Sequence, residues 1–353
     1  MIDKNFWSGK KVFITGHTGF KGSWLSLWLL KLGAELKGYS LKPNTSPSIY
    51  KALKLNEVIE SEINDIRNFD ELKKSISSFK PDILFHMAAQ PLVRDSYKDP
   101  LYTFETNTIG TANVLEACKF STNLKTIIIV TTDKCYENDE RSSAYVETDS
   151  MGGKDPYSAS KGCAELITSS YKHSFLKDLK KGISSVRAGN VIGGGDWSKD
   201  RLIPDILRSF EEGKKLSIRN PDAIRPWQYV LEPLNGYLML AQNLHKDFVN
   251  FSSPFNFGPE VQDSKSVRWI VEKMSNYWPK AEWEINENNT LAEAKLLTLN
   301  ADKAKNLLNW SPKVNIEKSL HHIFKWHMTF KTDPNNISEF SLKEIEEYEA
   351  KME

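Results

Sequence analysis

Two short stretches carry side chains whose types and spacing could move protons on one small molecule. The apolar run "TIIIV", 126–130, is followed at once by Thr131, Thr132, Asp133 and Lys134. Two opposite charges cannot both stay in the core behind a buried strand. Either they form a salt-linked turn, or they stand as an acid and a base at the mouth of a sheet. Further on, "PYSASKGCAEL" puts Lys161 four residues after Tyr157, one helical turn apart on one face. An ammonium there can lower the pKa of the phenol and make it a usable base near neutral pH. Tyr50 and Lys54 repeat the same spacing, so the pattern alone is feeble. Only the Tyr157 pair follows a strand and its loop at the right place, and Tyr50 reads as a surface residue.

The first half of the chain alternates strand and helix. "KKVFIT", "AELKGYS", "PDILFHMAA" and "KTIIIVTT" are short apolar strands. Helices are predicted through Trp24–Leu32, Asn68–Ser78 and "NTIGTANVLEACK". Apolar strands separated by helices are what a parallel sheet covered on both faces requires. The predicted fold class is therefore α/β, a Rossmann-type doubly wound parallel sheet. Past about Arg187 the pattern changes to glycine-rich loop and then to helices, which predicts a smaller, mostly helical substrate-binding domain. The expected division is 1–187 with 226–253 for the nucleotide-binding domain and 188–225 with 254–353 for the other. The tail from Asp333 is highly charged and reads as a surface helix.

Composition bounds the rest. The chain has 353 residues, with 40% hydrophobic and 26% charged side chains and a net charge of +1. No overall field favours nucleic acid or an anionic membrane, and no stretch approaches a membrane span or a signal peptide. Three cysteines and seven histidines lack ligand spacing, so no metal site is expected. The chain reads as cytoplasmic.

"TGHTGFKG" places Gly16, Gly19 and Gly22 between the first strand and its helix. Glycines there permit a tight turn and close approach of a pyrophosphate to the backbone, and the helix start supplies unpaired N–H groups for the anion. His17 and Lys21 add potential positive charge to that region, or point to solvent. The spacing is Gly-x-x-Gly-x-x-Gly, and here the chain resembles the extended, sugar-nucleotide-modifying branch of the short-chain dehydrogenase/reductase superfamily. The resemblance implies NAD, held by the loop residues Gly16, His17, Gly19, Phe20, Lys21 and Gly22. It implies that Asp65 and Ile66 in "NDIRN" bracket the adenine, and that Ala88 and Ala89 in "MAAQ" pass under the cofactor. The second strand ends at Ser40 and Leu41 without the carboxylate that selects NAD over NADP, so NADP stays open. By the same resemblance Thr132, Tyr157 and Lys161 form a catalytic triad, with Tyr157 and Lys161 also touching the cofactor.

An oxidoreductase or a 4-epimerase needs no more than that triad. A dehydratase also needs a base for the proton beside the new ketone and an acid for the departing hydroxyl, and Asp133 and Lys134 could supply both. In this the chain resembles the CDP-glucose 4,6-dehydratases, which implies Lys134 as base and Asp133 as acid. The first role requires a neutral lysine and the second a protonated aspartate, and the opposite assignment stays open. The resemblance runs from about Trp7 to about Pro312. It implies CDP-glucose as substrate, contacted by Arg94, Asn190, Arg201, Leu202, Pro204 and Arg225. A homodimer or homotetramer built on helices 100–119 and 156–171 is implied as well. The alternatives are dTDP-, GDP- or UDP-sugar dehydration, 4-epimerisation, or a non-catalytic NAD-binding sensor.

Overall fold

The computed structural model describes residues 1–286 and 296–352. Seven parallel strands form the main sheet: β1 (Lys11–Thr15), β2 (Glu35–Ser40), β3 (Glu60–Ile63), β4 (Ile83–His86), β5 (Thr126–Val130), β6 (Gly182–Ala188) and β10 (Phe255–Phe257). Their order is β10-β6-β5-β4-β1-β2-β3. Strand side chains alternate between faces, and both faces are apolar here. Val12, Ile14, Ile128 and Val130 enter one core, beneath the Phe20–Lys31 and Leu231–Lys246 helices. Phe13, Ile127 and Ile129 enter the other, with Leu72, Ile76, Val114 and Leu115 of the Phe69–Phe79 and Gly110–Phe120 helices. The chain winds outward from β1 through β2 to β3, and from β4 through β5 to β6 on the other side. This reversal opens a crevice at the carboxyl ends of β1 and β4. Thr15 there pairs in register with both Tyr39 and His86.

A second lobe closes over that crevice. Strands β7 (Asn190–Ile192), β9 (Ile224–Tyr229) and β11 (Ser264–Ser266) form one small sheet, and β8 (Leu216–Ile218) with β12 (Trp283–Ile285) forms another. The helix Leu202–Glu211 buries Ile203, Ile206, Leu207 and Phe210, a spacing of one helical face, against Ile270, Met274 and Leu320. This lobe is helical with short strands between, as expected for the smaller part.

Several local readings change. The segment 60–63 forms a strand although its sequence is ESEI, because an edge position tolerates charge and Lys37 pairs with Glu60 and Glu62 at 2.7 and 3.4 Å. Strand β10 lies in the main sheet, one residue past the expected boundary at 254, while 226–229 belongs to the small sheet through β9. Tyr50 is not a surface residue: it is 5% exposed and meets the His17 ring edge-on. The charged tail does form a helix, Ile337–Glu349, but one face is docked. Ile337, Ser341, Glu344, Ile345 and Tyr348 are buried, the Trp28 indole donates to Glu349 at 2.7 Å, and the Tyr348 hydroxyl donates to Glu232 at 2.6 Å. Of the 254–353 segment, residues 287–295 and 353 lie outside the described part.

Candidate active site

The glycine loop closes on the end of β4. Gly16 has φ +79°, and a Cβ on it would lie 2.6 Å from the Ala88 nitrogen. A Cβ on Gly22 would lie 2.1 Å from the Gly16 carbonyl oxygen, so both positions exclude larger residues. Gly19 starts the Phe20–Lys31 helix with no side-chain cap, leaving N–H groups of the first turn available to an anion. These features fit a dinucleotide pyrophosphate.

His17 does not bring positive charge to this region. Its ring is fully buried over Gly38, Nε2 hydrogen-bonds the Ser61 hydroxyl at 2.7 Å, and burial lowers its pKa to about 4. Lys21 faces inward. Burial lowers its pKa to about 7, with Lys161 and Arg201 pushing the same way and Asp133 opposing. Ser40 and Leu41 are tied to the loop through Thr18, whose hydroxyl lies 2.9 Å from that of Ser40 and donates to the Leu41 carbonyl at 2.8 Å. Asp65, beyond β3, is gripped by Arg67, whose Nε and Nη2 donate at 3.0 and 2.8 Å. Ile66 packs beneath Gly110. Phe20, Lys21 and Ala89 line the cleft; Asp65 and Ile66, after β3, and Ala88, after β4, lie at the carboxyl end of the sheet outside that lining.

The end of β5 carries the charged pair. Asp133–Cys135 is a single tight turn, and the Thr132 hydroxyl both receives the Lys134 N–H at 3.3 Å and donates to Asp133 Oδ1 at 3.0 Å. Asp133 is 2% exposed, and its Oδ2 has no hydrogen-bond partner among the described residues. Burial pushes its carboxyl pKa up, against the pull of Lys134, Thr132 and Arg225. Burial thus favours the protonated carboxyl and Lys134 the charged one, and no ion pair joins the two side chains among the described residues. Cys135 is a buried packing residue.

Opposite stands the Pro156–Tyr171 helix, started by Asp155, whose carboxylate receives the Ser158 N–H at 2.9 Å. Tyr157 opens its first turn. Burial raises the phenol pKa to about 12, and the facing Thr132 hydroxyl and Arg201 lower it. Lys161 follows one turn on, on the same helix. Its ammonium donates to the Val130 carbonyl at 3.1 Å, and burial lowers its pKa to about 8 against Glu165. Glu165, one turn further, was not foreseen. It accepts hydrogen bonds from Thr131, Ser185 and Arg187, which ties this helix to β5 and β6.

The second lobe supplies the far wall of a cavity of about 330 Å³. Asn190, Leu202, Pro204 and Arg225 line it, and so does Arg94 from the main-sheet side. Arg201 reaches the catalytic end rather than the far end, because Asp196 holds its Nη1 at 2.9 Å and it bears on both Tyr157 and Lys21. Arg219 and Asp200 also line the cavity and escaped sequence reading; each is one charged residue in a charged loop. The arrangement can hold a dianionic ligand at one end and exchange protons with it at the other. Among the described residues no helix is long and apolar enough to cross a membrane.

Comparison with known proteins agrees with this architecture. The family model described as GDP-mannose 4,6 dehydratase matches residues 13–323. A CDP-glucose 4,6-dehydratase of Salmonella typhimurium is 53% identical over 333 residues, 93% of each chain. A UDP-glucuronate 4-epimerase of Thermodesulfobacterium geofontis is 26% identical, covering 89% of this chain and 94% of its own. Among solved structures, UDP-glucuronic acid 4-epimerase from Bacillus cereus, in complex with UDP-glucuronic acid and NAD, superposes with a TM-score of 0.79 at 24% identity, over 91% of this chain and 99% of that one. That likeness confirms the fold, while the matched family model spans nearly the whole cleft from the glycine loop to the second lobe. The chain thus belongs to the GDP-mannose 4,6 dehydratase family of the extended short-chain dehydrogenase/reductases.

Proposed function

We propose that the protein is a CDP-glucose 4,6-dehydratase, converting CDP-glucose to CDP-4-keto-6-deoxyglucose and water. The observation that carries this reading is the buried, proton-biased Asp133 beside Lys134 at the strand end shared with Thr132. The 53% identity to the Salmonella enzyme supports the choice of substrate. NAD, when bound at the glycine loop, supplies the acceptor for the C4 hydrogen and its later return to C6. Thr132 holds the sugar 4-hydroxyl, and Tyr157 takes its proton. Lys134 removes the C5 proton, made acidic by the 4-keto group. Asp133 gives its proton to the departing C6 hydroxyl. Lys161, anchored on Val130, keeps positive charge near the tyrosine, and Arg201 lowers its phenol. Asn190, Arg94 and Arg225 take the diphosphate. The exposed apolar side chains Leu101, Ile109 and Leu166, on helical segments flanking the main sheet and outside the cleft lining, support pairing of two copies as a homodimer.

Incubation with CDP-glucose and NAD⁺, followed by the ultraviolet absorbance that 4-keto-6-deoxy sugars develop in alkali, tests the proposal. Signal with CDP-glucose, absent with dTDP-glucose and UDP-glucose, is the expected result. No signal with any of the three sinks it.

A further inference from the structure

Asp200 stands between two arginines that come from opposite walls of the cleft. Arg94 belongs to the Val93–Lys98 helix after β4, and Arg219 follows β8 in the second lobe. Each guanidinium Nη1 lies 3.6 Å from the same oxygen, Asp200 Oδ1. The neighbouring charges are otherwise engaged: Arg201 on Asp196 at 2.9 Å, and Asp205 on Arg208 at 2.6 Å. All four residues of the Arg94–Asp200–Arg219–Arg225 region line the one cavity.

We propose that Asp200 is an internal anion competing with a substrate phosphate for Arg94 and Arg219, and so keeps the two guanidiniums neutralised in the empty cleft and moderates its affinity for a nucleoside diphosphate. The inference rests on the nucleotide-sugar reading of the cleft. Two guanidiniums converging from separate walls repel one another unless an anion lies between them, and the carboxylate supplies one negative charge. A diphosphate supplies two, with more acceptor oxygens for two planar donors. The contact is loose enough to exchange. At 3.6 Å neither approach is a hydrogen bond, and Asp200 is 36% exposed, so the pairs add little to stability. An uncharged ligand leaves this contact in place, whereas a diphosphate takes the arginines from Asp200 and binds less tightly by the strength of the contact it displaces.

The test is titration of the full-length protein with CDP and with cytidine at low salt, for the natural chain and for Asp200→Asn. Asp200 has φ +61°, and asparagine is among the residues that tolerate the left-handed region, so the variant keeps its backbone. CDP binding is expected to tighten about three- to tenfold, the size of one or two screened ion pairs, with cytidine unchanged and the gain fading in high salt. In an Arg219→Gln background the gain from Asp200→Asn is expected to shrink, because the seat is then half dismantled. Unchanged or weaker CDP binding in Asp200→Asn would overturn the proposal, making Asp200 a surface partner or an aligner of the arginines. A failure of the substrate reading shows separately, in the natural chain. If it binds UDP, GDP or dTDP instead of CDP, the same comparison is made with that nucleotide and decides the matter. If it binds none of them, the anion seat falls too.

Discussion

Asp133 holds a charge-bearing side chain in a place that disfavours the charge. Its folded pKa lies above the ordinary 3.8, so the folded state binds more protons than the unfolded chain above that pH, and stability falls as pH rises through the raised value. Asp133→Asn removes this cost. The variant is expected to lose dehydration by about 100-fold or more while its thermal midpoint at pH 8 stays level or rises. A drop in both would show that the carboxylate is structural. Lys161 runs the other way. Its pKa is lowered from 10.5 to about 8, so the unfolded state holds more protons between those values and stability rises with pH there. The natural chain should therefore gain stability relative to Lys161→Met from pH 8 to pH 10.5, read by urea midpoints at several pH values. A flat difference would mean that the lysine is not desolvated.

At the scale of elements, the side chains proposed to be catalytic sit on two separate pieces, the turn after β5 and the first turns of the Pro156–Tyr171 helix. The buried Glu165–Arg187 pair clamps them together, since Arg187 also donates to the Tyr136 hydroxyl at 2.8 Å, just past the Asp133–Lys134 turn. Glu165→Ala leaves Arg187 buried without its partner, which is expected to cost about 3–5 kcal/mol in chemical unfolding. Glu165→Gln, retaining part of the hydrogen bonding, should cost less. If the alanine variant unfolds at the natural midpoint, the clamp is not a structural element. Part of this layer was legible: the glycine loop, strands β1, β2, β4 and β5 and the Tyr157 helix follow from local periodicity and turn chemistry, whereas β6 and β10 were not read as strands. Strand β3 was not, because its ESEI sequence has neither apolar run nor alternation and pairs only by its edge position and Lys37.

For the whole molecule, the cleft exists because the second lobe folds over the reversal of strand order between β1 and β4, and the docked C-terminal helix ties β9 of that lobe, through Glu344, to the Leu231–Lys246 helix of the main sheet, through Glu232. The flank that carries Leu166, 61% exposed, with Leu101 and Ile109 lies away from the cleft. Leu166→Arg is expected to shift sedimentation toward the monomer and leave the folded chain intact by circular dichroism. An unchanged sedimentation profile would remove that helix face from the interface.

Residue order alone determined the α/β class, the glycine loop, the run Thr132–Asp133–Lys134 at a strand end and the Tyr157–Lys161 pair on one helix face, because each depends on spacing within one turn or one strand-to-helix step. The tertiary structure decided which of those groups keeps a proton and which charges meet. His17 reads as a cation until burial over Gly38 makes it neutral, and no spacing tells that the Val130 carbonyl anchors the Lys161 ammonium. Asp200, Arg94 and Arg219 lie far apart in the chain, and only the closing of one lobe on the other puts a single carboxylate oxygen between two guanidiniums. Desolvation and long-range pairing are properties of packing, and no local pattern carries them.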